Sequence, residues 1–183
     1  FLAYPALLHD TFISIQGGYA MKGRWTVALM MLFVSMALVV THGEKSCAGV
    51  LGISNIVFCS ASPEGYMKYN EQPDATFAPG QVVWIYMNLD NVKTNTNADG
   101  SQEIWIKLYL KVKAPNGDVL MDQELYNEHK NFPEKFNMDE MFLRVNLNTV
   151  SGMPEGRYTV ELGLKDELAK TQASSASTFI LKQ

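Results

Sequence analysis

The chain has 183 residues, 47% of them hydrophobic, with 15 Lys+Arg against 19 Asp+Glu and a formal net charge of −4. A mildly acidic chain with interspersed charges and no basic block lacks the electrostatic footprint of a nucleic-acid or anionic-lipid binder. His129 is the only histidine after Gly43, which excludes two-histidine metal sites from everything beyond that point.

In chain order, the first feature is an address label. Met21 is followed by Lys22 and Arg24, then by an apolar run from Trp25 to Val40 that ends at Thr41-His42-Gly43. A basic start, a brief apolar core and small residues at the break describe a secretory signal peptide over 21–43. The competing reading is a retained membrane anchor, but a span needs about 20 apolar residues and this run is shorter. Residues 1–20 lack a trustworthy periodicity. Gln16-Gly17-Gly18 fits purine-rich codons of a ribosome-binding sequence, so 1–20 is expected to be an upstream-translated extension of a prokaryotic gene, the alternative being an ordinary N-terminal extension. The exported part is then 44–183, the size of one domain.

Period-two alternation dominates that part. "VLGISNIVF" (50–58) predicts a first strand, and the Pro- and Gly-punctuated stretch 60–80 is too irregular for a helix. "QVVWIYMNLD" (81–90) predicts a second strand and "NVKTNTNADGS" a polar connection. In "EIWIKLYLKVK" (103–113) Ile104, Ile106, Leu108, Leu110 and Val112 point one way, and Trp105, Lys107, Tyr109, Lys111 and Lys113 the other. "APNGD" is a hairpin turn, because Asn-Gly supplies positive-φ positions. "VLMDQELY" (119–126) returns from it, and "NEHKNFPEKFNMDE" (127–140) reads as loop with at most one helical turn. "MFLRVNLNTV", "MPEGRYTVELGLKD" and "SSASTFILK" supply the last strands, with Met141, Leu143, Val145, Leu147, Tyr158, Val160, Leu162 and Leu164 inward. About seven short strands without a long helix predict an all-β, Greek-key β-sandwich.

Pro154-x-Gly156-x-Tyr158, entering a penultimate strand, resembles the tyrosine corner of immunoglobulin-like and fibronectin type III-like domains, with Tyr158 in the structural position. The Asn-Gly hairpin resembles the fibronectin-like variant, in which the fourth strand lies beside the third. The stretches "YNEQPDATFAPGQVVWIYMNL" and "EGRYTVELGLKDELA" also resemble exported bacterial β-sandwich proteins with a Phe-x-Pro-Gly lead into an apolar strand. That resemblance implies fold and export, and no chemistry. The Trp-and-disulfide signature of antibody domains is missing.

Cys47 and Cys59 flank a predicted strand. Extended backbone would hold them tens of ångströms apart, beyond the roughly 7 Å limit for a bridge. Two separate thiols are expected, with Cys59 in the core; a hairpin at Gly52 would allow a bridge, and lipidation of Cys47 is disfavoured by Glu44-Lys45-Ser46.

Candidate chemistry is sparse. There is no Gly-x-Ser-x-Gly elbow to support a serine nucleophile with His129, so His129 reads as a solvated loop residue. "NTNADGSQE" imitates a calcium loop, but its twelfth position from Asn95 is Ile106 instead of Glu. Glu124, Glu128, Glu134, Asp139 and Glu140 lack the fixed separation that glycosidase chemistry needs and read as a charged loop face. No catalytic residue, metal site or cofactor is expected. The residues singled out are Trp105, Lys107, Tyr109 and Lys111, which put aromatic rings among lysines on one strand face, a platform for sugar rings or a protein anchor. Trp84 and Tyr86 alternate similarly, but on a strand that a fibronectin-like topology assigns to the other sheet. The expected function is an exported, non-enzymatic binding or accessory module of the cell envelope. Its partner would be a protein or a glycan, not nucleic acid, and a membrane only if the leader is retained. The alternatives are a surface-filament subunit assembling by strand addition and a small carboxylate-based hydrolase.

Overall fold

The computed structural model describes residues 49–133 and 137–183. The leader, the preceding extension, Cys47 and Glu134 lie outside them. Among the described residues nine strands form: β1 (Gly52–Cys59), β2 (Thr76–Phe77), β3 (Val82–Asp90), β4 (Asn95–Thr96), β5 (Gln102–Lys113), β6 (Val119–Phe132), β7 (Phe142–Asn148), β8 (Gly156–Asp166) and β9 (Thr171–Leu181). Seven are long. The two beyond the sequence expectation, β2 and β4, are two-residue pairings at the sheet ends. No helix among the described residues is long and apolar enough to cross a membrane.

The strands make two sheets that pack as a β-sandwich. One is β1-β3-β7; the other runs β2-β9-β8-β5, with β6 pairing along the far side of β5. The hairpin at Asn116-Gly117 places β6 beside β5, with Gly117 at φ +90 and its amide donating to the Ala114 carbonyl. The core is built from the inward rows that the alternation predicts. Ile104, Ile106, Leu108, Leu110 and Val112 are buried opposite Met141, Leu143, Val145 and Leu147, with Tyr158, Val160, Leu162 and Leu164 alongside. Fully burying such side chains stabilises by roughly 1.5–3 kcal/mol each before entropy is counted.

Tyr158 is fully buried, stacks on Phe179 at 5.2 Å between centroids, and donates its hydroxyl to the Pro154 carbonyl at 2.7 Å. Gly156, at φ +135, makes the turn between them, where a Cβ would meet Pro115 at 2.8 Å. This is the bond of a tyrosine corner, joining the turn to the strand that leaves it.

The stretch 127–132 is not loop: β6 continues to Phe132. Two bulges explain the misreading. Leu108 opposes Tyr126 while Tyr109 opposes Glu124, leaving Leu125 unpaired, and Val112 and Lys113 oppose Met121 and Val119, leaving Leu120 unpaired. Each extra residue shifts the alternation by one, so the inward Met121 and Tyr126 fall out of step. As an edge strand β6 also carries polar residues on both faces, and Glu128 pairs with Lys130 at 3.3 Å. The one helical turn of the region is Met138–Glu140, capped by the Asn137 side chain.

The segment 60–72 lies on the outer face of the three-stranded sheet. Cys59, Tyr86 and Phe142 form a second buried cluster under Tyr66 and Tyr69, and Arg144 donates to Ser62 Oγ and to the Pro63 carbonyl. Cys59 is a free thiol with no exposure, and burial pushes it up to about 11.

Candidate functional site

Pairing registers turn the outer face of the six-stranded sheet into rows. One reads Asn127–Lys107–Lys165–Gln172 across β6, β5, β8 and β9. The next reads Glu124–Tyr109–Gly163–Ser174, and the third Asp122–Lys111–Glu161–Ala176. Above them Trp105 pairs with His129. The sequence-predicted Trp105, Lys107, Tyr109 and Lys111 therefore stand on one surface, as alternation demands, and the structure adds the neighbours that decide what each can do.

Trp105 is already engaged. Its indole N–H donates to Asn127 Oδ1 at 3.1 Å, and its ring stacks with His129 at 5.3 Å between centroids. Lys170, from the β8–β9 turn, sits over the ring at 5.7 Å. Since β5 lies between β6 and β8, these contacts come from opposite flanks. His129 is a strand residue beside Trp105, with Nε2 hydrogen-bonded to Glu103 Oε1; that bond holds the Glu103 carboxyl below its usual range. Reading 127–132 as loop concealed this pairing.

The lysines are engaged too. Lys111 pairs with Asp122 at 3.0 Å and is held charged above its usual range by that carboxylate. Lys113 pairs with Glu161. Lys107, Lys165 and Lys170 converge on Glu167 at 3.4, 2.7 and 3.2 Å, and the Lys165 and Lys170 ammoniums hold its carboxyl down at about 2. Sequence reading passed over Glu167, whose partners come from two strands and a turn.

Beneath that node, Asp166 is fully buried. One carboxylate oxygen accepts from the amides of Leu168 and Ala169, both at 2.9 Å, and the other from the Lys93 amide at 2.6 Å. It closes the β8–β9 turn and ties it to the β3–β4 connection. The "-Asp-Glu-Leu-Ala-Lys-" turn, with Lys170 at φ 57, was the only local sign of it.

Tyr109 is the accessible aromatic of the face, 37% exposed. Its hydroxyl bonds to Glu124, which raises it above the usual phenol range. Gly163, directly opposite, leaves a floor with no side chain. A hollow of about 540 Å³ opens between Tyr109, Gly163, Lys165, Gln172 and Ser174, and one of about 210 Å³ between Tyr109, Lys111, Asp122, Glu161 and Gly163. Tyr109 thus divides two shallow basins ringed by hydroxyl, amide, ammonium and carboxylate groups. A third hollow, about 730 Å³, lies at the sandwich end around Val50, Asn91, Val92 and Ala169, where the described chain begins.

The other candidates resolve simply. Tyr86 is fully buried under 60–72 and donates to Asn88 Oδ1, so it belongs to no platform. Asp99 bonds to the Ser101 amide and hydroxyl within its own turn. Glu124 and Glu128 lie on β6, and Asp139 and Glu140 on the Met138–Glu140 turn. No group of three or more His, Cys, Asp or Glu among the described residues is arranged to hold a metal.

The class this architecture defines is an immunoglobulin-like β-sandwich with fibronectin-type strand pairing, β1-β3-β7 against β9-β8-β5-β6. No protein-family model and no curated protein matches the sequence. Solved structures similar to this one include a β-glucuronidase of Bacteroides uniformis, at 11% identity and TM-score 0.43, covering 73% of this chain and 14% of that one. They also include the sporulation control protein Spo0M of Bacillus subtilis, at 11% and 0.39, covering 74% and 50%. A third is the PKD domain of an M14-like peptidase from a Thermoplasmatales archaeon, at 10% and 0.33, covering 74% and 99%. The chain thus spans about a seventh of the first and half of the second.

Proposed function

We propose that the protein is an exported, non-enzymatic accessory module of the cell envelope that binds a glycan across the outer face of the six-stranded sheet. The observation that carries this reading is Tyr109: an exposed aromatic standing between two basins over Gly163. A sugar ring offers an apolar C–H face and a polar hydroxyl rim, and it is matched by an aromatic ring with hydrogen-bonding groups around it. Gln172, Ser174, Lys165, Glu161 and Asp122 supply those groups. Export rests on the leader read over 21–43.

A carboxylate-based hydrolase finds less support. A general acid needs a carboxyl raised toward neutrality. On and beside this face Glu103 and Glu167 are moved down instead, and Asp122 and Glu161 are held in ion pairs. Strand addition draws little from β6, because its bulges and its Asp122, Glu128 and Lys130 charges are features that blunt sheet edges.

The test is retention of the purified 44–183 protein on a panel of immobilised envelope and plant polysaccharides, with Tyr109→Ala beside it. Binding that disappears in Tyr109→Ala supports the reading. Binding unchanged by that substitution moves the site elsewhere, and no retention by any glycan removes the reading.

A further inference from the structure

The charges on the proposed binding face are unevenly spread, and the imbalance specifies the ligand. Around the smaller basin cations and anions match: Lys111 answers Asp122, and Lys113 answers Glu161. Lys165 lines the larger basin, and beyond it three ammoniums, from Lys107, Lys165 and Lys170, share the single carboxylate of Glu167. The Lys165 side chain, which lines the basin, is 42% exposed and that of Lys170 is 71% exposed, while Glu167 is only 8% exposed. The carboxylate is covered, Lys107 is 21% exposed, and Lys165 and Lys170 face outward. Three other carboxylates lie nearby, and among the described residues none of them is in an ion pair with Lys165 or Lys170: Glu103 is bonded to His129, Glu124 bonds Tyr109 from the opposite flank and reaches Lys165 only through its field, and Asp166 points inward onto three backbone amides.

We infer that the larger basin takes a carboxylate-bearing sugar, a uronate unit of an acidic polysaccharide, with its carboxylate at Lys165 and Lys170 and its ring against Tyr109. The inference rests on the glycan-binding reading above and adds the chemical class. Lysine suits this role because its ammonium is a point charge on a flexible stem. Lys165 is free to exchange part of its contact with Glu167 for a ligand carboxylate without burying an unpaired charge.

The experiment is calorimetric titration of the purified protein with a polygalacturonate oligosaccharide and with a neutral glucan of equal length. The acidic oligomer should bind, and its affinity should fall as salt rises from about 0.05 to about 0.5 M, where the Debye length contracts below the span of the basin. Lys165→Gln with Lys170→Gln should weaken binding at least about tenfold, the loss of one charge-assisted contact. Glu167→Gln removes the competing carboxylate and should tighten binding severalfold, a gain that damage to the fold would not produce. Equal, Tyr109-dependent binding of the neutral glucan that ignores both lysine changes overturns the uronate assignment and leaves glycan binding standing. A Glu167→Gln variant that folds and binds polygalacturonate more weakly also overturns it. If neither oligomer binds and the polysaccharide panel is blank, both readings fall.

Discussion

Trp105 and His129 face each other across the β5–β6 pairing and stack with ring centroids 5.3 Å apart. The indole is also hydrogen-bonded to Asn127 and covered by Lys170, so it fastens the edge strand and the β8–β9 turn to β5. Trp105→Ala should therefore cost about 1–3 kcal/mol of stability, from lost area, the stacked pair and the hydrogen bond. Tyr109→Ala, at the more open position, should cost under about 1 kcal/mol. Parallel urea titrations of the two variants check the order; equal losses would place Tyr109 in the structural set.

Gly163 is a test of the basin that leaves Tyr109 in place. A Cβ there would lie 3.5 Å from the Tyr109 Cβ and 3.9 Å from its Cδ2, which is ordinary contact. A β-branched residue also suits an interior strand better than glycine. Gly163→Thr should leave the stability unchanged or raise it by up to about 1 kcal/mol, while it fills the floor and abolishes glycan retention. Retention surviving in a folded Gly163→Thr protein would show that the ligand does not use the basins.

Two buried tyrosines should answer the same substitution with opposite signs. The Tyr158 hydroxyl is bonded to Pro154, and Tyr158→Phe leaves that turn carbonyl short of a donor, a loss of about 1–2 kcal/mol. The Tyr126 hydroxyl is buried without a partner among the described residues, and burial raises it far above the phenol range. Tyr126→Phe should be neutral or stabilising by about 1 kcal/mol. Thermal melts of the two variants suffice.

Asp166→Ala removes one carboxylate from three backbone amides in two connections. A loss of about 3 kcal/mol is expected, together with faster hydrogen exchange at Lys93, Leu168 and Ala169. Exchange confined to Leu168 and Ala169 would mean that the β3–β4 connection is held by other contacts.

Glu167 predicts an acid limb. Its carboxyl is held at about 2, against an unperturbed 4.5. A depressed carboxyl contributes stability that is present above the unfolded value and lost as pH falls through the folded one. The stability advantage of the wild type over Glu167→Gln should be constant above about pH 5 and vanish as pH approaches 2. Denaturant midpoints at stepped pH would reveal it, and a constant difference across that range would refute the role of the three lysines.

Much of the fold was written in the alternation of β5 and β8, whose residues meet the core on one side and solvent on the other. Period two therefore identified Ile104 to Val112 and Tyr158 to Leu164 as core, and placed Trp105, Lys107, Tyr109 and Lys111 on a common face. The Asn-Gly turn and the Pro-x-Gly-x-Tyr turn were equally legible, because glycine at positive φ and a buried tyrosine hydroxyl are local requirements. What tertiary structure alone decided was which side chains meet between strands. An extra residue at Leu125 sets the phase of the rest of β6, so nothing local could bring His129 to Trp105. Glu167 gathers Lys107, Lys165 and Lys170 only once β5, β8 and the following turn are aligned, and Gly163 becomes the floor of a basin only opposite Tyr109. A side chain's direction follows from its own strand, but its partners follow from register, and register is set by the packing of the whole sandwich.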